Sequence, residues 1–402
     1  MFMLEKAAGG GRRYWLWIAC LLVAIAAGFA CYLRQFTVGL AITGLSRDVT
    51  WGLYIAQFTF LVGVAASAVM VVLPYYLHHY KVFARITILG EFLAIAAVTM
   101  CMLFIFVDMG QPTRVLNVLL YPTLHSIMFW DMVSLGGYLV LNAVIALVTL
   151  RAEREDTPPP RWIKPVILLS IPWAVSIHTV TAFLYSGLPG RPLWLTAILA
   201  PRFLASAFAS GPALLILLCL LISRVTRSSV PREPIQKLGI IVTYAMVISV
   251  FFVLLEFFTS FYSQIPDHTE PLRYMFTGVD GHTRLLPWMW TSLVLAAGSL
   301  ALLLVPRFRQ RDALLAAACG MVFLSLWIDK GIGLIIAGFV PSPLGAVTEY
   351  SPTLSEVLIS LGIWAFGSLI LTVLYKVALS VRENRLFSEQ PAVRRPSELS
   401  VA

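Results

Sequence analysis

Charged residues are scarce in this 402-residue chain, and this scarcity defines its class. Only 12% of the residues are Asp, Glu, Lys or Arg, about half the ~25% of a typical soluble domain, whereas 59% are hydrophobic. The loops between the apolar runs are short, so no stretch remains that could form a soluble catalytic domain. The composition therefore predicts an integral membrane protein.

Cysteine and histidine are also rare, which limits the cofactors that the chain itself could bind. The 5 cysteines are isolated from one another in apolar runs, and no CxxC or CxxCH motif occurs, so we expect no iron–sulfur cluster and no covalent haem. Of the 6 histidines, His178 alone lies well inside an apolar run, which leaves a b-type haem without a second histidine. A redox role would thus require a diffusible carrier, and a lipid-soluble quinone is the obvious candidate.

The apolar runs predict an all-α fold with about ten transmembrane helices, because about 20 apolar residues cross the hydrocarbon layer. We expect one polytopic domain, residues 1–402, with two four-helix bundles and peripheral helices. The first run follows basic residues, as in a signal peptide, but no small-residue cleavage pattern follows Leu33, so we expect an anchor. The predicted spans lie near 14–33, 51–77, 83–107, 127–150, 163–184, 195–222, 237–262, 286–305, 313–337 and 353–379.

Basic residues predict the orientation of these spans. With the N-terminus in the cytoplasm, the inner loops and tails hold 21 of the 29 Lys and Arg, as the positive-inside rule requires. Both termini are then cytoplasmic. The net charge of +9 is mostly this orientation signal and does not indicate a nucleic-acid partner.

Polar residues collect near the outer ends of the predicted spans. A charged side chain inside a spanning helix costs roughly 2.5–3.5 kcal/mol on insertion scales, so many such residues on one side indicate a polar site. Glu91 differs from the others, because it lies about two turns from the inner end of the third span. The outer group consists of Asp108, Arg114, Asp131, His178, Arg202, Glu256, Asp329 and Glu356.

Three spans carry polar or small residues at helical spacing, which places them on one face. In the fifth span these are His178, Thr181 and Tyr185; in the seventh they are Ser249, Glu256, Ser260 and Ser263; in the second they are Thr59, Gly63 and Ser67. The small residues of the second span favour close helix packing.

Each candidate residue also has a structural alternative. Arg202 could extend to the interface from the end of its helix, and Asp329 and Lys330 could neutralise each other. Arg114 could contact lipid headgroups, and Asp131 and Glu356 could be early-turn residues favoured by the helix dipole, the reading we prefer for Glu356. For Glu91 the alternative is a packing carboxyl bonded to a neighbouring hydroxyl. Glu256 and His178 lie a turn or more inside the apolar layer, which favours a functional role.

One sequence run resembles a family signature. The run Asp108-Met-Gly-Gln-Pro112-Thr-Arg114 is similar to the Asp-Leu-Gly-x-Pro-x-Arg signature of the NrfD/PsrC family of quinone-interacting membrane subunits, with Met109 in place of leucine. Ser176-Ile-His178-Thr, Arg191-Pro-Leu-Trp194 and Trp51-Gly52 also fit that family. Ten spans indicate its longer branch. The run that begins at Val62 looks most like the membrane subunit of the sulfur-metabolism complex DsrMKJOP, with that of the menaquinone reductase complex close behind.

The resemblance implies a function in anaerobic respiration, in the cytoplasmic (inner) membrane of a bacterium or archaeon. Family members bind menaquinone or ubiquinone near the periplasmic face, carry no cofactor of their own, and exchange electrons with a periplasmic ferredoxin-like iron–sulfur subunit. Further cytochrome and membrane subunits complete the complex, so the chain would not be catalytic alone. On this basis Asp108, Arg114, His178 and Arg202 are candidates for quinone binding, and Asp131 and Glu256 for proton transfer. Because Glu91 is an ionisable group in an inner half that has almost no others, it could form a proton path with Glu256 and His178 that couples quinone chemistry outside to proton uptake from the cytoplasm.

Other classes of function fit the sequence less well. An ion-coupled secondary transporter would explain ten helices and buried acidic groups, but we find neither an internal repeat nor matching interrupted helices in two halves. An intramembrane protease would need a Ser/His pair that Ser176 and His178, two residues apart on one helix, do not form. The charged external connection, about 262–286, is either a solvated loop or a docking surface for an external partner.

Overall fold

In a membrane every backbone polar group must be bonded internally, so long apolar runs fold as helices. The computed structural model describes residues 9–65, 67–77, 81–226 and 230–388, and within them ten helices are long and apolar enough to cross a bilayer. The ten predicted spans are thereby confirmed. The helices are α1 Arg12–Val38, α2 Leu53–Ala65 continued as Ser67–Leu77, α3 Ala84–Asp108, α4 Ile127–Glu155, α5 Ile163–Ser186, α6 Leu199–Val225, α7 Arg232–Ser263, α8 Leu286–Leu304, α9 Asp312–Leu326 continued through Trp327–Gly333 and Leu334–Ala337, and α10 Leu354–Ser388.

Several helices extend past the predicted bounds. Helix α7 begins at Arg232 and α10 continues to Ser388, because hydropathy marks only the apolar centre of a helix and the backbone bonding continues beyond it. Lys6, residues 78–80 and 227–229, and the tail beyond 388, on which part of the orientation argument depends, lie outside the described residues. We call the outer end of the molecule the end where α1, α3, α5, α7 and α9 finish, following the predicted orientation.

Two groups of four helices form the centre of the fold. Helices α2 to α5 pack against one another, and α6 to α9 form the second group, joined to the first mainly by contacts of α2 with α6 and α9 and of α5 with α6. The most apolar stretch of α2 is entirely buried by protein, so this helix is the axis of the molecule. The predicted pair of four-helix bundles with peripheral helices is confirmed.

Helices α1 and α10 are the peripheral pair. They pack against each other over most of their length, and α10 also contacts α3. A Cβ atom on Gly28 would lie 2.9 Å from the Cα atom of Gly362 and 2.8 Å from the carbonyl oxygen of Leu358. The two backbones therefore approach more closely than any side chain larger than glycine allows, as in other membrane helix pairs with small residues at the contact.

Shorter elements close the ends of the bundle. At the outer end these are Pro112–Arg114, Asn117–Leu120 and the eleven-residue helix Pro266–Phe276. At the inner end they are Lys81–Phe83 and Pro306–Arg309.

Candidate functional site

The outer half of α5 presents a polar face to the protein interior. His178, Thr181 and Tyr185 are all fully buried, so the polar face predicted on this helix is confirmed. The Thr181 hydroxyl donates to Oδ1 of Asp131 on α4 at 2.7 Å, and the Tyr185 hydroxyl is hydrogen-bonded to that of Thr59 on α2. Three helices thus bring their polar side chains together at one level of the bundle.

His178 is the residue in this group that most needs a partner. Its side chain is completely buried, and neither ring nitrogen has a hydrogen-bond partner among the described residues. An unsatisfied buried polar group costs about 1–3 kcal/mol, so its presence calls for an explanation, such as a ligand that bonds to it. A neutral imidazole offers one donor and one acceptor, which suits a hydroxyl or carbonyl oxygen of a bound molecule.

A second group, which we call the ion cluster, consists of Arg202 on α6, Glu256 on α7 and Asp329 on α9. Nη2 of Arg202 lies 2.9 Å and 3.0 Å from the two carboxylate oxygens of Asp329, and Nη1 bonds to Glu256. Their side chains are 10–15% exposed. The extension of Arg202 to the interface, one of our alternatives, is therefore wrong, because two carboxylates hold the guanidinium inside the protein.

Asp329 and Lys330 are adjacent in sequence and lie in the π-helical segment Trp327–Gly333. Their side chains point in different directions. Asp329 faces Arg202, whereas the Lys330 amine points to the ring of Phe203, 4.3 Å from its centroid. No ion pair joins Asp329 and Lys330 within the part of the chain that the structure describes. The alternative that these two residues neutralise each other is also wrong.

A third polar group lies beside α1 and α10 and includes residues that sequence reasoning missed. The Tyr54 hydroxyl donates to Oε1 of Gln35 at 2.7 Å, and Nε2 of Gln35 donates to the Val107 carbonyl at 2.6 Å. Oδ1 of Asp108, the next residue, is buried without a partner among the described residues, and Asp108 lies within electrostatic range of Tyr54. The amide of Gln35, two residues beyond the predicted end of the first span, was the signal that could have revealed this group.

Glu356 completes this group from the first turn of α10. Its carboxylate is fully buried and accepts bonds from the backbone N–H of Gly44 (2.7 Å), the backbone N–H of Thr353 (2.8 Å) and the Tyr350 hydroxyl (2.6 Å). Burial, and then the Glu356 charge, raises the pKa of the Tyr350 phenol. The bond to Thr353 fits the early-turn role that we preferred for Glu356, and the Tyr350 bond ties α10 to the loop before it.

A small cleft opens next to this group at the outer end. It lies between α1 and the loop after α3, so the signature run contributes to its wall. It has room for about one water molecule, far less than the ~300–1,000 Å³ of most ligand pockets. Its lining residues are Tyr32, Gln35, Phe36, Gly39, Leu40, Met109, Gly110 and Pro112.

The structure does not bring every predicted residue into these groups. Arg114 lies in the short helix Pro112–Arg114, is exposed, and forms no ion pair with a described residue. In the charged external connection, Arg284 and His282 contact Glu349, which the sequence did not single out. The helix Pro266–Phe276 orders part of the same connection.

Glu91 lies apart from the outer groups, in the inner half of α3. It is 1% exposed, and neither carboxylate oxygen has a hydrogen-bond partner of normal geometry among the described residues. Thr149 and Tyr138 are its polar neighbours, but the Thr149 hydroxyl donates to the Ile145 carbonyl at 2.7 Å and that of Tyr138 to the Ala65 carbonyl at 3.3 Å. The Thr149 hydroxyl is nevertheless close enough to Glu91 for a side-chain hydrogen bond, which fits the alternative of a carboxyl bonded to a neighbouring hydroxyl.

Comparison with known proteins identifies the family. Residues 41–341 match the family described as polysulphide reductase, NrfD, so the chain belongs to this family and the resemblance is confirmed. The matched region runs from the end of α1 to just before α10 and thus covers both four-helix groups. The chain is a multi-pass membrane protein.

Its relatives are membrane subunits of redox enzymes. It is 26% identical to a putative dimethyl sulfoxide reductase membrane subunit of Halobacterium salinarum, over 89% of each chain. It is 26% identical to an Hdr-like menaquinol oxidoreductase integral membrane subunit of Archaeoglobus fulgidus, over 68% of this chain and 66% of that one. It is 22% identical to a menaquinone reductase integral membrane subunit of Nitratidesulfovibrio vulgaris, over 90% and 91%.

Proposed function

We propose that this chain is the quinone-reactive membrane subunit of a respiratory oxidoreductase complex, that it binds menaquinol near the outer face, and that it exchanges electrons with an external iron–sulfur subunit. The observation that carries the proposal is the fully buried, unpartnered imidazole of His178 beside the Asp131–Thr181 hydrogen bond. The names of two relatives, a menaquinol oxidoreductase subunit and a menaquinone reductase subunit, support the same substrate.

Binding in this proposal uses the outer polar groups. His178 bonds one oxygen of the quinol ring, and Asp108, with its unpartnered Oδ1, bonds the other, with entry from the cleft beside Met109. The Arg202 guanidinium, which two carboxylates hold in place, polarises an oxygen of the bound quinol. Arg114, exposed just outside the cleft wall, attracts the approaching ligand or anchors the outer loop to headgroups.

Oxidation of a quinol releases two electrons and two protons. The electrons leave to the iron–sulfur partner, since the chain has no CxxC motif with which to bind a cluster of its own. Asp131, bonded to Thr181, and Glu256, bonded to Arg202, accept the protons near the outer end. Glu91 takes protons from the cytoplasmic side, so that the redox reaction is coupled to proton translocation.

Quinol oxidation by the assembled complex tests the binding step. We expect His178→Ala to lower kcat/KM for a quinol analogue at least tenfold, because a bond to the ligand oxygen is lost. His125→Ala, in the exposed external loop, is the matched control and should be without effect. An unchanged rate in the His178 variant, with the complex still assembled, would remove this residue from the site.

Proton uptake tests the coupling step separately. In vesicles that contain the complex, Glu91→Gln should reduce the protons taken up per electron, because the amide cannot carry a proton. Uptake that is insensitive to this change would leave Glu91 as a packing residue.

A further inference from the structure

Lys330 is a buried lysine that has no role in the proposed function. Its side chain is 3% exposed, and its Nζ atom is 3.4 Å from the carbonyl oxygen of Phe203 and 4.3 Å from the centre of that ring. Within the described residues no carboxylate lies within 4 Å of the amine. Buried charges are usually paired, so a lysine without a paired carboxylate inside a membrane protein indicates a functional residue.

Two features of the backbone create the space for this amine. The π-helical segment around Lys330 directs it away from the ion cluster, and such segments are frequent at functional sites. On the facing helix α2, a Cβ atom on Gly63 would lie only 3.2 Å from Nζ and 3.3 Å from the Ser210 hydroxyl. Because Gly63 has no side chain, the Lys330 amine has space between α2 and Ser210.

The amine lies near the middle of the membrane. Lys330 is seven residues before the end of α9 at Ala337, and Gly63 is ten residues from the start of α2 at Leu53. At 1.5 Å per residue these positions are about 10–15 Å below the outer end, in a hydrocarbon layer ~30 Å thick. The side chain therefore lies between the outer groups and the inner half that contains Glu91.

Ionisable groups face Lys330 from several helices. His178 on α5 and Cys101 on α3 are within electrostatic range, as are Arg202 and Asp329 of the ion cluster. Towards the inner side Ser210 is followed by Ser67, whose hydroxyl contacts the Gly90 carbonyl at 3.5 Å, next to Glu91. Polar atoms are thus present on both sides of the amine.

Charge balance links the amine to the ion cluster. Arg202 and Lys330 carry two positive charges and Glu256 and Asp329 two negative ones, so the four groups are neutral together when all are ionised. Both carboxylates bind Arg202, which leaves the Lys330 charge balanced only at a distance. If either carboxylate gains a proton, the four groups together carry one excess positive charge. Loss of a proton from the Lys330 ammonium makes them neutral again.

We propose that Lys330 carries protons through the middle of the membrane. When the ion cluster gains a proton, the Lys330 ammonium gives one proton to the imidazole of His178, which passes it outward. The neutral amine then takes one proton from the Glu91 side through Ser210 and Ser67. This step rests on the proposed function, because quinol oxidation supplies the proton that changes the ion cluster.

The test uses the complete complex in liposomes and measures protons taken up per electron together with the rate of quinol oxidation. Lys330→Met keeps the length of the side chain without a proton site, and Lys330→Arg keeps the positive charge but does not release its proton. Both should lower the proton-to-electron ratio at least threefold. Lys164→Met, an exposed lysine at the inner start of α5, is the control and should leave the ratio unchanged.

Each other outcome overturns the inference. A normal ratio in Lys330→Met excludes proton carriage, and a normal ratio in Lys330→Arg alone shows that only the charge is needed. Loss of quinol oxidation in both variants, with the complex assembled, makes Lys330 part of the oxidation site.

If the Lys330→Met complex does not assemble, Gly63→Ala is the deciding variant. The added methyl group displaces the Lys330 amine and should lower the proton-to-electron ratio, and an unchanged ratio overturns the inference. A wild-type complex that oxidises quinol without proton uptake overturns this inference and the coupling step through Glu91 but leaves the quinone-reactive role intact, whereas one that does not oxidise quinol overturns the proposed function.

Discussion

Removal of the Arg202 side chain should destabilise the protein more than any other single change in the ion cluster. Arg202→Met leaves Glu256 and Asp329 facing each other with side chains only 10% and 15% exposed and no cation between them. Three bonds to charged groups are lost, each worth about 1.5–3 kcal/mol. Protonation of a carboxylate relieves part of the cost, so the expected loss in free energy of unfolding is about 3–5 kcal/mol.

Matched variants separate the ion pair from the packing of the side chain. Glu256→Gln leaves the two contacts of Arg202 with Asp329 in place, so the expected loss is smaller, about 1–3 kcal/mol. The triple change Arg202→Met, Glu256→Gln and Asp329→Asn removes all three charges and should recover much of the stability. Equilibrium unfolding of each purified variant in mixed micelles measures its free energy of unfolding. The reasoning is refuted if Arg202→Met unfolds with the wild type or if the triple variant is the least stable.

Three further predictions concern packing and the outer loops. Gly338→Ala should cost about 1–3 kcal/mol or more, because the new Cβ atom would lie 2.0–2.3 Å from ring atoms of Trp194; a wild-type unfolding midpoint would contradict this contact. Gly28→Leu should separate α1 from Gly362 on α10 and lower the thermal midpoint of the detergent-solubilised protein, whereas an unchanged midpoint would show that the two helices do not touch there. Glu349→Gln should change stability by less than about 1 kcal/mol, since its arginine partner is 59% exposed, and a larger loss measured by thermal unfolding would reveal an unrecognised contact.

Periodicity predicted the features that depend on one helix. The ten spans and the buried face with His178, Thr181 and Tyr185 follow from hydropathy and from a repeat of 3.6 residues, and the structure confirms both. The small residues of α2 were also assigned correctly to close packing, since a Cβ on Gly211 of α6 would lie 3.0 Å from the backbone nitrogen of Ser67. These properties are local in sequence and require no knowledge of which helices are neighbours.

Contacts between helices distant in sequence could not be predicted in the same way. The partners of Arg202 are 54 and 127 residues away, and nothing in the local sequence distinguishes them from other acidic residues. Asp329 and Lys330 were expected to pair because they are adjacent, but a π-helical turn, which hydropathy does not reveal, points them apart. Gln35 and Tyr54 were missed because neither is charged, although they bond to each other beside Asp108.

The pairing of α1 with α10 has a consequence for biosynthesis. α1 emerges from the ribosome first, but its main partner follows more than 300 residues later, a delay of roughly 20–70 s at ~5–20 residues per second. During this interval α1 can bond to α2 and α3 through Gln35, while the face that packs against α10 stays exposed to lipid. The glycine contact at Gly28 and Gly362 can therefore form only after α10 has been synthesised, and it joins the first and the last of the ten spans.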